Sequence, residues 1–213
     1  MDSDLILTAK KSSRRHYLLV MAFTILGLCL ILFFVPLAKY FFFDPAPVGN
    51  LDQLVVVSPS RYARSAPLRL QIPTINVDTD FVLPLGLNQD NTLVVPDSYT
   101  KVGWYGGGSS PGENGPAVIL GHVDSKEGPA VFYALGQLNV GDDIVITRAD
   151  GTVVNFVVTK LQRYPQANFP TTDVYGKTDK PMLRLVTCTG LFDKAEKRYS
   201  HNLVVFAELK DEV

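Results

Sequence analysis

The sequence predicts a mostly β domain, closed into a barrel, behind a single N-terminal transmembrane helix. Short β-rich runs separated by turn residues fill the chain from Leu68 onward, and a long uncharged apolar run, Tyr17–Ala38, precedes them. An isolated sheet of this length would leave open edges, which favours a closed barrel. With 213 residues, 46% of them hydrophobic, the chain can bury one good core but hardly two large ones.

The run Tyr17–Ala38 is predicted to be an uncleaved membrane anchor. A helix rising about 1.5 Å per residue over this run would cross a hydrocarbon core of roughly 30 Å. The alternative is a cleaved signal peptide, but its apolar region is only about 7 to 15 residues long. The basic residues cluster on the N-terminal side, so the positive-inside rule predicts a cytoplasmic N-terminus and an extracellular remainder. These residues are Lys10, Lys11, Arg14, Arg15 and His16.

The chain therefore divides into four predicted segments, in a protein that crosses the cell membrane once. A basic cytoplasmic tail occupies residues 1–16 and the transmembrane anchor residues 17–43. Residues 44–67 form an extracellular linker, in which four prolines among small and polar residues suit an extended spacer. The β-barrel domain occupies residues 68–213.

Composition argues against several partners and cofactors. A formal net charge of −1 and a pI near 6.3 give no electrostatic reason to expect nucleic-acid binding. One cysteine and two histidines on the extracellular side of the predicted anchor fall short of a structural zinc cluster, and no dense acidic cluster suits calcium. Gly106–Gly108 is not followed by the Lys-Ser or Lys-Thr of a phosphate-binding loop. We therefore expect no metal, no cofactor and no nucleic-acid partner.

The clearest β element is the segment Asp143–Leu161. Two β-rich runs meet there at Asp150-Gly151, a dipeptide suited to a tight hairpin turn. The segment Pro129–Leu138 is predicted to be one short helix, and Lys101–Gly115 a loop because it is rich in Gly and Pro. Three further strands are predicted, at Ala117–Leu120, Leu183–Thr187 and Leu203–Leu209.

Cys188 and His122 are the candidate catalytic residues, because each follows a predicted strand, where functional loops begin. A thiol needs an electropositive neighbour to ionise at neutral pH, and a histidine supplies that field and later protonates a leaving amine. Taken singly, each residue is more often a buried structural side chain. His16 lies on the cytoplasmic side of the anchor, so His201 is the alternative partner.

The expected compartment favours a reactive Cys188. Extracellular structural cysteines usually pair, and an unpaired thiol there is a hazard or a nucleophile. Cys29, the other cysteine, lies inside the predicted anchor and cannot be its partner. A Cys-His pair implies acyl transfer, which also needs a group that stabilises an oxyanion. Arg198, at the start of the last strand, is the preferred candidate; Arg184 shares the predicted face of Cys188 but lies about 13 Å away along the strand.

The motifs as a whole resemble the sortases, cysteine transpeptidases of Gram-positive-type cell surfaces, and most closely their class F branch. The resemblance covers roughly Leu68–Leu209. It depends on motifs that occur in the family's order: VGWY at 102–105, PGENGPAVILGHVD at 111–124, GPAVFYAL at 128–135, FPTTDVYG at 169–176 and LRLVTCTGLFD at 183–193.

The resemblance implies an eight-stranded β-barrel with one or two short helices and a cysteine transpeptidase activity. Cys188 matches the nucleophile of the family's TLxTC motif, whose leading Thr is Arg184 here, and His122 matches the catalytic histidine. The family's arginine often stands two residues after Arg198, at the position of Ser200. The substrate implied is an LPxTG-like sorting signal of a secreted surface protein, cleaved between Thr and Gly. The acceptor implied is an amine of a peptidoglycan precursor or a pilin.

Four residues are candidates for the substrate groove: Asp124, Thr187, Trp104 and Arg184. Asp124 stands near His122 and would orient it or line the groove, although a polar loop residue is an equal alternative. Trp104 would flank the groove or anchor a loop. Two other functions remain open: a hydrolytic cysteine peptidase on the same fold, and a non-catalytic membrane-tethered β-barrel that binds a ligand.

Overall fold

A computed structural model describes residues 60–82 and 84–210, which form a mostly β domain. One α-helix occurs in this part of the chain, α1 (Thr171–Tyr175), with three short 3-10 helices at Pro73–Ile75, Leu135–Gln137 and Gln166–Asn168. The strands are β1 (Pro67–Ile72), β2 (Val77–Asp80), β3 (Gly103–Trp104), β4 (Gly115–Leu120), β5 (Asp124–Ser125), β6 (Gly128–Pro129), β7 (Asp143–Arg148), β8 (Val153–Pro165), β9 (Pro181–Asp193) and β10 (Arg198–Leu209).

Eight of the strands form one curled sheet in the order β2-β1-β7-β8-β10-β9-β4-β3, and β5 pairs with β6 in a separate ribbon. Neighbours in the large sheet are antiparallel except β4 and β9, which are parallel. This pairing places the carboxyl end of β4, Leu120, beside Val186 in the middle of β9, which is the feature that builds the site described below. Contrary to the prediction that the strand ends before Cys188, β9 continues past it to Asp193.

The expected eight strands are present, but the prediction that they close into a barrel is wrong. The edge strands β2 and β3 share no ladder; the chain after β2 makes only isolated bridges to the β3 region, Phe81 to Val102 and Leu85 to Tyr105. β3 is only two residues long because it lies in the Gly-rich segment Lys101–Gly115, which is otherwise irregular as predicted. A very short edge strand limits exposed pairing groups without full closure.

The sheet is apolar on both faces. Inside the curl, side chains such as Ile119, Leu185 and Val205 are fully buried in the main core. On the outer face, alternate residues of the same strands, Val118, Val186, Val204 and Phe206, pack with Val174 of α1. Because paired residues share a face, Cys188, two residues after Val186, lies on this outer face.

The predicted hairpin is confirmed. β7 and β8 pair antiparallel: Asp143 lies opposite Val157 at one end of the ladder, and Thr147 lies opposite Val153 at the other. Gly151 has φ +83°, a left-handed conformation that favours glycine, and Asp150 Oδ1 accepts hydrogen bonds from the backbone N–H and hydroxyl of Thr152.

The predicted helix Pro129–Leu138 is wrong in type. The segment forms turns that end in the 3-10 helix Leu135–Gln137. The first residues of the segment bond to other loops, and Phe132 N donates to His122 O at 2.9 Å. The later residues bond within the segment over three positions, as where Leu135 N donates to Phe132 O at 3.1 Å. The buried side chains Phe132, Leu135 and Leu138 recur every three residues, a spacing that suits a 3-10 turn docked on the core.

The predicted tail (1–16), the anchor (17–43) and the linker as far as residue 59 lie outside the described residues. In the part of the chain that is described, no helix is long and apolar enough to cross a membrane. The described end of the linker contacts the domain: Ser65 N donates to Ser110 Oγ at 3.0 Å, and Arg148 donates to the carbonyl of Ala63.

Candidate active site

Parallel pairing of β4 with β9 brings His122 and Cys188 together. Leu120 is the register partner of Val186, and Gly121 N extends the ladder by donating to Val186 O at 3.2 Å. His122 and Cys188 each follow this pair by two residues, on the same face. Neighbouring strands lie about 4.8 Å apart, so the backbones that carry the two residues pass close to each other. They open into one cleft of about 830 Å³ on the outer face of the sheet, hereafter the cleft, whose lining includes His122, Asp124, Phe169, Thr187, Cys188 and Arg198.

Cys188 is half-buried, and within residues 60–82 and 84–210 it is the only free cysteine. Burial raises the pKa of its thiol above the ordinary value, and the nearby negative charge of Asp124 raises it further. Its register partner across the sheet is Asn202 of β10. The thiol therefore needs positive charge or hydrogen-bond donors around it before it ionises readily at neutral pH.

The surroundings of His122 favour one tautomer of its neutral imidazole. Its Nε2 lies 2.8 Å from the backbone carbonyl oxygen of Pro96, and because that oxygen only accepts, Nε2 carries the hydrogen. The ring of Tyr99 packs against the imidazole with 4.5 Å between centroids. Nδ1 is then the ring nitrogen left to exchange a proton with a thiol or a leaving group.

Thr187 and Asp124 both line the cleft. The buried Thr187 hydroxyl donates to Gly121 O at 2.8 Å, which ties β9 to the backbone next to His122. Asp124 accepts a hydrogen bond from the Tyr199 hydroxyl, and this bond is the main cause that raises the pKa of Tyr199 to about 12. Asp124 thus bridges the segment after β4 to the start of β10.

The structure separates the two candidate arginines. Arg198 is exposed at the first position of β10 and lines the cleft with Cys188 and His122. Arg184 shares the outer face with Cys188, as predicted, but is only 4% exposed and does not reach the cleft. Its guanidinium stacks 4.5 Å from the ring centroid of Phe206, because both register and alternation place it against that side chain.

Two other sequence candidates lie away from the cleft. Trp104 is buried in β3, where its Nε1 donates to Ser109 O at 2.9 Å and the Arg64 guanidinium covers its ring. It therefore anchors the Gly-rich loop, the alternative considered for it. His201, the alternative partner of Cys188, is not part of the cleft lining and shares a 2.8 Å hydrogen bond with Ser200 Oγ.

Among the cleft residues that the sequence analysis did not select, Gln166 and Asn202 lie next to Cys188. Gln166 Nε2 lies 3.9 Å from Cys188 Sγ and donates to Asn202 Oδ1 at 3.1 Å. Both depend on the register of β8, β9 and β10, which the amino-acid pattern does not specify.

Aromatic side chains form part of the cleft wall. Phe169 and Tyr175 line it and pack on each other with 6.2 Å between ring centroids. Burial raises the pKa of Tyr175 to about 12, so its hydroxyl stays protonated at neutral pH. Among the described residues, no three His, Cys, Asp or Glu side chains are arranged to hold a metal ion. The cleft thus offers an apolar wall beside a thiol, an imidazole and a guanidinium.

Asp124→Asn is expected to speed alkylation of Cys188 at pH 7 by roughly threefold. The carboxylate charge raises the pKa of the thiol, so removing it lowers that pKa and increases the thiolate fraction. Asparagine keeps an oxygen for the Tyr199 hydroxyl. Iodoacetamide rates measure the effect, with Asp80→Asn, an exposed carboxyl of β2, as the control. An unchanged or slower rate would contradict the proposed influence of Asp124 on the thiol.

Comparison with known proteins identifies one family. The sortase domain family matches residues 70–210. A lid mutant of sortase A from Corynebacterium diphtheriae is similar at 23% identity, and the match covers 74% of this chain and 76% of that chain with a TM-score of 0.54. Sortase C-1 of Actinomyces oris is similar at 22% identity, and the match covers 68% of this chain and 71% of that chain with a TM-score of 0.52. A sortase D5 transpeptidase of Clostridium perfringens is similar at 20% identity over 69% of this chain and 79% of that chain, with TM-score 0.50. These likenesses concern the fold. No curated protein matches the chain.

Proposed function

Because this chain belongs to the sortase family, we propose that it is a cysteine transpeptidase that cleaves an LPxTG-like sorting signal between Thr and Gly. The carboxyl-terminal fragment leaves, and the surface protein passes to an amino nucleophile. The observation that carries the proposal is the pairing of β4 with β9, which sets His122 beside the free thiol of Cys188 in one cleft.

In the first half-reaction, the Cys188 thiolate adds to the carbonyl carbon of the threonine residue and forms a C–S bond. The tetrahedral intermediate collapses, and the C–N bond to glycine breaks. The departing amine takes a proton from His122 in its acid form, leaving a thioester on Cys188. The carbonyl of Pro96, which accepts from Nε2, holds the imidazole in place during the transfer.

In the second half-reaction, an amine attacks the thioester carbonyl. His122, now neutral, takes a proton from that amine, a new amide forms, and the thiolate of Cys188 is released. We propose that the acceptor is an amine of a peptidoglycan precursor or a pilin, the acceptors that the family resemblance implies.

We assign oxyanion stabilisation to Arg198 together with backbone N–H groups. The guanidinium keeps its charge at all relevant pH values, and Arg198 opens into the same cleft as Cys188. Arg198→Ala is expected to lower kcat about 10²-fold or more, the cost of losing one oxyanion donor. Arg184→Ala is the matched control, and we expect it to lower the melting temperature while largely preserving turnover, because Arg184 packs on Phe206. The reverse pattern would move the oxyanion role to Arg184.

We further propose that the protein is anchored in the cell membrane with its catalytic domain outside. The uncharged run Tyr17–Ala38 and the basic residues before it support this topology. An anchor and a linker confine the enzyme beside membrane-bound substrates and a lipid-linked acceptor, which raises their effective concentration. The order and content of the motifs, from VGWY to LRLVTCTGLFD, support assignment to the class F branch.

The deciding experiment incubates the full-length chain, purified in detergent, with a fluorogenic LPxTG-type peptide, with and without an added amine. We expect cleavage between Thr and Gly, and an amide product when the amine is present. Cleavage without an amide product would favour a hydrolytic peptidase. No cleavage across a panel of sorting peptides, with a thiol that resists alkylation, would favour a tethered binding module.

A further inference from the structure

Three neighbouring strands set an amide pair beside Cys188. Asn202 of β10 is the register partner of Cys188 on one side and of Tyr164 of β8 on the other. Gln166 follows Tyr164 by two residues, where β8 gives way to the 3-10 helix Gln166–Asn168. The three side chains, those of Gln166, Asn202 and Cys188, all line the cleft.

In this pair of amides, Gln166 is the hydrogen-bond donor and Asn202 is the acceptor. The Gln166 amide nitrogen carries two hydrogens and lies 3.1 Å from Asn202 Oδ1 and 3.9 Å from Cys188 Sγ. One hydrogen goes to the Asn202 oxygen, which fixes the rotation of the amide and leaves the other hydrogen for the sulfur. Hydrogen bonds of apo sites often tighten once the acceptor is charged, so the longer N···S separation suits a donor to a thiolate.

We propose that Gln166 is a catalytic residue that donates an amide hydrogen to the Cys188 sulfur in its thiolate form, and that Asn202 is a positioning residue that orients Gln166. The proposal deepens the proposed transpeptidase function and rests on it.

The setting of the thiol supports such a donor. Burial and the charge of Asp124 both raise the pKa of Cys188, so the free thiolate needs stabilisation. A neutral amide donor stabilises the thiolate directly and leaves Arg198 free for the scissile carbonyl. Besides cleft tyrosines, the charged or titratable groups that line the cleft are His122, Asp124 and Lys126 after β4, and Lys197 and Arg198 at the β10 end. All of these remain when Gln166 is changed.

The test measures the rate of iodoacetamide alkylation against pH in the full-length chain carrying Cys29→Ala, so that Cys188 is the only thiol. Gln166→Met keeps the length of the side chain and removes the donor. We expect alkylation at pH 7 to slow about tenfold, with the limiting rate at high pH unchanged. Gln162→Met, a change on the exposed part of β8, should match the parent. If Gln166→Met does not fold, Gln166→Glu also removes the donor and should slow alkylation at least as much.

A double-mutant cycle separates the two roles. Asn202→Leu alone should slow alkylation at pH 7, whereas Gln166→Met with Asn202→Leu should be no slower than Gln166→Met alone, because Asn202 acts through Gln166. Superimposable pH profiles for the parent and Gln166→Met would overturn the assignment of Gln166, and additive effects would overturn that of Asn202. Alkylation needs no peptide, so these outcomes are independent of whether the chain cleaves sorting signals.

Discussion

Replacing Cys188 with alanine is expected to abolish cleavage of the sorting peptide, with a loss of at least about 10⁴-fold in kcat/KM. The proposed mechanism depends on this sulfur as the nucleophile, and the β4–β9 register brings it into the same cleft as His122. Alanine removes only the sulfur from a half-buried position, so the fold should persist, which a thermal melt will show.

The matched control for this change is Cys29→Ala, which removes the other cysteine of the chain and should leave turnover intact. An acid quench of the parent with peptide and no amine should reveal an acyl adduct on Cys188 by mass spectrometry, absent in the variant. If Cys188→Ala cleaved the peptide at an appreciable rate, the covalent mechanism would be wrong.

The sequence was enough to predict those elements whose conformation depends on neighbouring residues in the chain. The hairpin of β7 and β8 was predictable because Asp150-Gly151 favours a turn with positive φ and the flanking runs alternate. Whether the sheet closes into a barrel was not predictable from the sequence. Closure depends on how the chain after β2 pairs with the region of β3, and this long-range contact consists only of isolated bridges. The helix predicted at Pro129–Leu138 is wrong for a similar reason: Val131 donates to Tyr99 O and Phe132 to His122 O, which fixes the start of the segment against distant loops, and the bonds within the segment span only three positions.

The residues of the site also differ in how far the sequence could predict them. Cys188 and His122 were identified because both end predicted strands, yet only the parallel register of β4 and β9 explains why they meet. Alternation correctly put Arg184 on the face of Cys188, but it could not show that Phe206 covers its guanidinium. Gln166 follows the end of β8, and its approach to Cys188 depends on two pairings, that of β8 with β10 and that of β10 with β9. Residue type identifies candidates, whereas pairing decides which of them share a cleft.

Replacing His122 with alanine is the second change with a large expected effect, a loss of about 10² to 10⁴-fold in kcat for peptide cleavage. Collapse of the tetrahedral intermediate would otherwise expel glycine as an unprotonated amide anion, which is a very poor leaving group. The hydrogen bond from Nε2 to the Pro96 carbonyl and the packing of Tyr99 hold the imidazole for this transfer, so its removal takes away a preorganised acid.

A substrate whose leaving group needs no proton isolates that role. With an activated ester of the same acyl peptide, measured at a pH high enough to ionise Cys188 fully, His122→Ala should lose far less activity than it loses on the amide. His201→Ala is the control, because His201 bonds to Ser200 and does not line the cleft, and it should retain the parental rate on both substrates. Equal losses on ester and amide would contradict the role of His122 as the acid that protonates the leaving amine. If His201→Ala lost as much activity as His122→Ala, the role of general acid would pass to His201 of β10.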